Sequence, residues 1–134
     1  MSDHLGESME DYLEAILVLE DQIENVRSVD VASYLGFSKP SVSHAVKLME
    51  QKGLIRLNSS KILHLTPEGE QIARSTYQRH CFFTDMLKSI GVDSKTAAED
   101  ACRIEHVISE ETFQAIRRFY MNKKEDCYEV NPKS

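Results

Sequence analysis

The chain has 134 residues, of which 41% are apolar and 28% charged, with a formal charge of −6. That composition is ordinary for a water-soluble fold, and the length can bury one modest core or two small ones. The sequence holds no run of eighteen apolar residues and no basic segment leading into an apolar one, so neither a membrane span nor a signal peptide is expected, and the expected location is the cytoplasm.

Charge is spread unevenly. Residues 1–26 carry eight acidic groups and no Lys or Arg, residues 27–80 carry eight basic groups against four acids, and the remainder has eight basic against ten acidic. An anionic protein with a basic middle directs the nucleic-acid question to that middle. Cys81, Cys102 and Cys127 are odd in number and far apart, which does not describe a disulfide framework or a zinc ribbon and points to reduced thiols.

The first predicted helix runs from Ser8 to about Glu24, with Met9, Tyr12, Leu13, Ile16, Leu17 and Leu19 at helical spacing. Ser8 reads as its N-cap, and Glu10 and Asp11 suit the positive end of the helix dipole. A short second helix is expected from about Ser28 to Leu35, with Val29, Ala32 and Leu35 on one face and Gly36 as the turn. Ser38 caps a third, with Pro40 in its first turn; Val42, Ala45, Val46 and Met49 form its buried face, and Gly53 stops it. Two short helices joined by a tight turn are the helix-turn-helix pattern, and the second is the candidate recognition helix.

Leu54 to Leu57 and Lys61 to Leu65 alternate like strands around Asn58-Ser59-Ser60, a small hairpin that would make the unit winged. Thr66 and Pro67 then open a fourth helix of about 24 residues that ends at Gly91, longer than a 60-residue DNA-binding unit needs and best read as a linker into a second helical unit. Asp93 or Ser94 caps a fifth helix to about Ile108, and Ser109 a sixth containing Phe113, Ile116, Phe119 and Tyr120. The tail from Met121 is charged and expected to fray. The expected fold is mainly α with a small β-hairpin wing: a winged helix-turn-helix domain over 1–70 and a helical metal-binding and dimerisation domain over 71–134. Three helices of this size leave apolar faces uncovered, so a dimer is expected.

On the recognition helix, the apolar spacing exposes Lys39, Ser41, Ser43, His44 and Lys47. Ser and His can exchange hydrogen bonds with base edges, while Lys39, Lys47 and the wing residue Lys61 can neutralise phosphates, with Arg56 as a further candidate. A solvated polar face would have the same residues.

Potential metal ligands recur at helical spacing. Asp11 and Glu14 are three apart on the first helix, Cys102, Glu105 and His106 stand at i, i+3 and i+4 on the fifth, and His80 lies late in the fourth. Each is a ligand type for first-row metals. By spacing alone they read equally well as a solvated acidic face, a small core thiol and hydrogen-bonded imidazoles.

The order and separation of several short words decide between these. Ser8-Met9-Glu10-Asp11-Tyr12-Leu13-Glu14, Ser41-Val42-Ser43, Leu65-Thr66-Pro67-Glu68-Gly69, Arg79-His80 and Ile104-Glu105-His106 followed by Ser109 together resemble the diphtheria toxin repressor family of metal-dependent regulators, especially its short manganese transport regulator branch. The resemblance implies a homodimeric repressor of metal uptake or homeostasis genes that binds palindromic double-stranded operator DNA when loaded with metal. It assigns the ligands to Asp11, Glu14, His80, Cys102, Glu105 and His106, recognition to Lys39–Gln51, and dimerisation to the end of the fourth helix with the fifth and sixth. Asp11 follows the manganese-sensing branch, whereas Cys102 follows the iron-sensing one and is the softer ligand. Mn(2+) or Fe(2+) is expected, with Zn(2+) or Co(2+) accepted in vitro.

Two other readings compete: a metal-independent winged-helix interaction protein, and a small metalloenzyme using the same ligands. No glycine-rich phosphate loop or nucleophile elbow is visible, so no enzyme and no small organic substrate is expected.

Overall fold

The computed structural model describes residues 7–130, with side chains described from Met9 to Asn122. Its elements run α1 (Glu7–Gln22), α2 (Ser28–Leu35), α3 (Lys39–Gln51), β1 (Ile55–Leu57), β2 (Leu63–Leu65), α4 (Pro67–Ser89), α5 (Ser94–Ile104) and α6 (Glu110–Val130). The chain divides into two compact units between Gln78 and Arg79, inside α4. No described helix is long and apolar enough to cross a membrane.

In the first unit, α1 buries Tyr12, Leu13, Ala15, Ile16 and Leu19 against Val42, Val46 and Met49 of α3 and Ile55 and Leu63 of the hairpin. The helix starts at Glu7, so Ser8 lies within it instead of capping it, and the Ser8 side chain is outside the described residues. On α2 the buried pair is Val31 and Ala32, whereas Val29, expected on the core face, is 50% exposed. The other two expected positions hold, with Ala32 buried and Leu35 half-buried against the core, and the Asp30 carboxylate caps the first turn by accepting the Arg27 N–H at 2.9 Å. Gly36 closes α2 in the left-handed region at φ 74°, and the N–H groups of Gly36 and Phe37 both donate to Ala32 O. Ser38 caps α3, accepting the Ser41 N–H at 3.3 Å.

The wing is antiparallel, pairing Ile55 with Leu65, Arg56 with His64 and Leu57 with Leu63. Asn58 organises its turn by accepting the N–H groups of Ser60 and Ile62, with Lys61 at φ 67°. Thr66 joins the wing to α4: its hydroxyl donates to Gly53 O at 2.7 Å and accepts the Gly69 N–H at 3.1 Å. Gly69 is required at this seam, because a Cβ there would collide with the Leu54 carbonyl.

The second unit is helical and, among the described side chains, has a smaller core. Phe83 of α4, Ala101 of α5 and Phe113 of α6 are its buried apolar cluster, bordered by Phe82, Met86, Ile104, Ile108 and Ile116. Phe82 meets Phe83, Phe113 and Tyr120 edge-on, with centroids 5.2 to 5.6 Å apart. Asp93 caps α5 by accepting from Lys95 and Thr96, and Ser109 caps α6 by accepting the Thr112 N–H at 3.0 Å.

α5 ends at Ile104, four residues before the expected Ile108. The Glu105 N–H still reaches back four residues to Ala101 O, but those of His106 and Val107 reach back only three, the tightening that terminates a helix. α6 continues to Val130 where a frayed tail was expected, and residues 131–134 lie outside the described region.

Candidate metal centre and nucleic-acid face

Within the helical unit the end of α5 faces the middle of α4. Glu105 is 2% exposed and lies between two imidazoles: its Oε1 is 3.1 Å from His80 Nδ1, and its Oε2 is 3.3 Å from His106 Nε2. Ligand atoms of Cys102, Glu105 and His106 all fall within 4.8 Å of one another, as do those of His80 and Glu105. Four of the six expected ligands are therefore gathered in this unit.

Their positions follow from local structure. Cys102 sits on the last turn of α5 and Glu105 is its C-cap residue in helical conformation, so the two share a face despite the early helix end. His80 is held on the continuous ladder of α4, where Thr84 donates to its carbonyl at 2.7 Å. Asp11 and Glu14, the other two expected ligands, are in the first unit, half-buried and three residues apart on α1.

The donor set suits a divalent transition ion. A buried carboxylate is costly unless paired or metal-bound. Donors bound at about 2.0–2.3 Å from an ion stand no more than about 4.6 Å apart, comparable to the grouping seen here. Carboxylate, thiol and imidazole together favour first-row transition metals over calcium or magnesium, which prefer oxygen alone.

Arg79 supports this arrangement and was not singled out as a functional residue from the sequence. Its Nη1 donates to Glu105 O at 3.1 Å and Ile108 O at 3.0 Å, while its Nη2 donates to Glu110 Oε1 at 2.7 Å. The guanidinium lies 5.1 Å from the Phe113 ring centroid. Its only sequence signal was adjacency to His80.

On the winged unit, Lys39, Ser41, Ser43, His44 and Lys47 are all exposed, opposite the buried Val42, Ala45, Val46 and Met49. The Ser41 hydroxyl accepts from the Ser38 hydroxyl at 2.9 Å. A groove beside the start of α3 is lined by Ser28, Val29, Lys39 and Ser43, which explains what the exposed Val29 does: it forms a wall next to the polar face. Lys61 and Arg56 are exposed on the wing, and Arg27 reaches the wing turn through its Nε, which donates to Ser60 O at 3.2 Å. The arrangement is a polar helix face flanked by cations, suited to base edges and phosphates respectively.

Comparison with known proteins accords with both halves. Residues 4–63 match the N-terminal DNA-binding domain of iron-dependent repressors, and residues 66–133 match their metal-binding and dimerisation domain. The chain is 37% identical to the transcriptional regulator MntR of Escherichia coli O157:H7 over 116 residues, 87% of this chain and 75% of that protein. It is 34% identical to the diphtheria toxin repressor of Corynebacterium diphtheriae over 108 residues, which are 80% of this chain and 48% of the repressor. The solved structure of the manganese regulator SloR superposes with a TM-score of 0.74 at 25% identity, covering 84% of this chain and 53% of SloR. With both domains matched in order along the chain, the protein belongs to the iron-dependent repressor family of DNA-binding transcription regulators.

Proposed function

We propose that this protein is a homodimeric, cytoplasmic repressor of metal uptake or homeostasis genes that binds palindromic operator DNA when loaded with Mn(2+) or Fe(2+). The observation that carries the reading is the buried Glu105 carboxylate set between His80 and His106, beside Cys102. The family's metal-binding domain covers these residues.

Asp11 and Glu14 supply the remaining oxygen ligands in this proposal. Without a cation, their carboxylates and that of Glu105 repel one another and keep the two units loosely oriented. A bound divalent ion supplies the neutralising charge. With the carboxylates neutralised, the DNA-binding unit is tied through Asp11 and Glu14 to the ligands on α4 and at the end of α5, the two recognition helices of the dimer take a fixed spacing, and metal-binding energy becomes DNA affinity. No nucleophile elbow or glycine-rich phosphate loop accompanies these ligands in the sequence, which supports the role of a sensor over that of an enzyme. The second protomer covers apolar side chains that one chain leaves in water, among them Ile90 at 68% exposure, Val107 at 70% and Phe119 at 66%.

The hard oxygens of Asp11 and Glu14 favour manganese and the Cys102 thiolate favours iron, so ion preference is read by direct titration. Fluorescence anisotropy of duplex DNA from upstream of neighbouring metal-transporter genes, recorded anaerobically with chelator, Mn(2+), Fe(2+), Co(2+) or Zn(2+), tests the proposal. DNA affinity is expected to rise by about 5- to 150-fold with the preferred ion, and His106→Ala is expected to abolish that rise. DNA affinity indifferent to chelator would sink the reading in favour of a metal-independent winged-helix protein.

A further inference from the structure

Glu105 and His106 stand where a helix stops being a helix. The last four carbonyls of an α-helix have no onward N–H partner, and helix ends fray. Beyond Glu105 the backbone ladder has tightened to three-residue bonds, at 3.3 Å for His106 and 3.1 Å for Val107, which are poorer in geometry than the α-helical bond. Two buried side chains that must hold their mutual position are thus carried on a weak piece of backbone.

Arg79 compensates for this weakness. One guanidinium nitrogen takes the carbonyls of Glu105 and Ile108, the two ends of the turn, and another takes the Glu110 carboxylate at the start of α6. The side chain is 13% exposed, and its plane is further held near the Phe113 ring. Arg79 also immediately precedes His80 on α4, so one stretch of rigid helix both offers an imidazole and fixes the turn that carries the other two groups.

We infer that Arg79 is a positioning residue for the metal centre: its guanidinium locks the Glu105–Ile108 turn so that Glu105 and His106 keep their geometry relative to His80. This rests on the metal-centre reading above. Its mechanism needs a planar fork with several fixed donors; a lysine ammonium keeps the charge and the apolar stem but is a single point with no fork. Arg79→Lys therefore separates positioning from charge. Arg74→Lys is the control, since Arg74 lies five residues earlier on α4 with a 66% exposed side chain paired to Glu70.

The test is anaerobic Co(2+) titration of the full chain, reading affinity and the ligand-field absorption spectrum, with far-ultraviolet circular dichroism of each apo variant. Arg79→Lys and Arg79→Gln are expected to keep the helical content, to lose about 10- to 100-fold in Co(2+) affinity and to show an altered spectrum, while Arg74→Lys matches the unsubstituted protein in both. Should the Gln variant fail to fold, the Lys variant carries the comparison. A folded Arg79→Lys with unchanged affinity and spectrum overturns the inference, as does an equal loss in Arg74→Lys or a failure of both Arg79 variants to fold. If the unsubstituted chain takes up no Co(2+), the metal-centre reading falls as well; if it binds Co(2+) and Arg79→Lys matches it, only the positioning role falls.

Discussion

The two units are built to different degrees of self-sufficiency. The winged unit has a continuous core to which all of its helices and both strands contribute, with Leu13, Ile16, Val42 and Met49 wholly buried. The helical unit encloses Phe83, Ala101 and Phe113, while Ile90, Val107 and Phe119 remain more than 60% exposed. Apolar burial stabilises at roughly 25 cal/mol per Å², so covering those exposed side chains would add to what the described core supplies against the entropy of ordering its helices. The first unit is a finished domain that meets a ligand on its polar face. The second matches a metal-binding and dimerisation domain, and on the proposed function it is completed by another copy and an ion.

That contrast is most sharply broken by damaging the finished unit. Leu13→Ala removes a side chain with no solvent exposure from the middle of α1 and is expected to lower unfolding stability by about 2–5 kcal/mol. Urea unfolding should show the loss at every protein concentration, because the affected contacts are all within one chain. A loss well under 1 kcal/mol would mean that the winged core is far looser than its burial indicates.

The helical unit should behave in the opposite way, with stability that follows concentration. A tenfold increase in protein is expected to stabilise the associated state by about 1.4 kcal/mol through mass action, and Phe119→Asp should abolish this dependence without unfolding the winged unit. Thermal unfolding at several concentrations, paired with analytical ultracentrifugation, checks both. A transition temperature that does not change with concentration would show that the small core suffices alone.

The same asymmetry governed how much could be read from sequence. The winged unit was legible because its signals are local: Ser38 and Thr66 as caps, Gly36 as a left-handed stop, and alternating residues in the hairpin. One position was misplaced: Ala32 and Leu35 do face the core, but Val31, four residues before Leu35, is buried in place of Val29, because spacings of three and of four fit a helix of 3.6 residues per turn about equally well. In the helical unit, the spacing of Cys102, Glu105 and His106 was visible, yet the early end of α5 was not, because the residues through Ile108 keep an apolar pattern that also suits a turn packed on a core. Arg79 was illegible as a functional residue for a different reason. Two of its three hydrogen-bond partners are carbonyls 26 and 29 residues away, and no side-chain pattern announces a backbone acceptor.

The smallest expected effect places one carboxylate from each unit in opposition. Burial raises the pKa of Glu20 on α1 above the ordinary carboxylate value, partly countered by nearby His64. Hydrogen bonds from Gln114 and then Arg79 lower that of Glu110 on α6. For Glu20 the folded state binds the proton more readily than the unfolded state, so falling pH brings a gain in stability in the window just above the ordinary value. For Glu110 the unfolded state binds it more readily, so falling pH brings a loss in the window just below that value. Acidification should first slightly favour the winged unit and then weaken the helical one. Both side chains reach solvent, so screening keeps each effect small. Urea midpoints measured from neutral to acidic pH for Glu20→Gln and Glu110→Gln resolve the pair: Glu20→Gln should erase the early gain and Glu110→Gln the later loss. If Glu110→Gln followed the unsubstituted protein down through the acid range, the hold of Arg79 and Gln114 on that carboxylate would contribute nothing measurable to the start of α6.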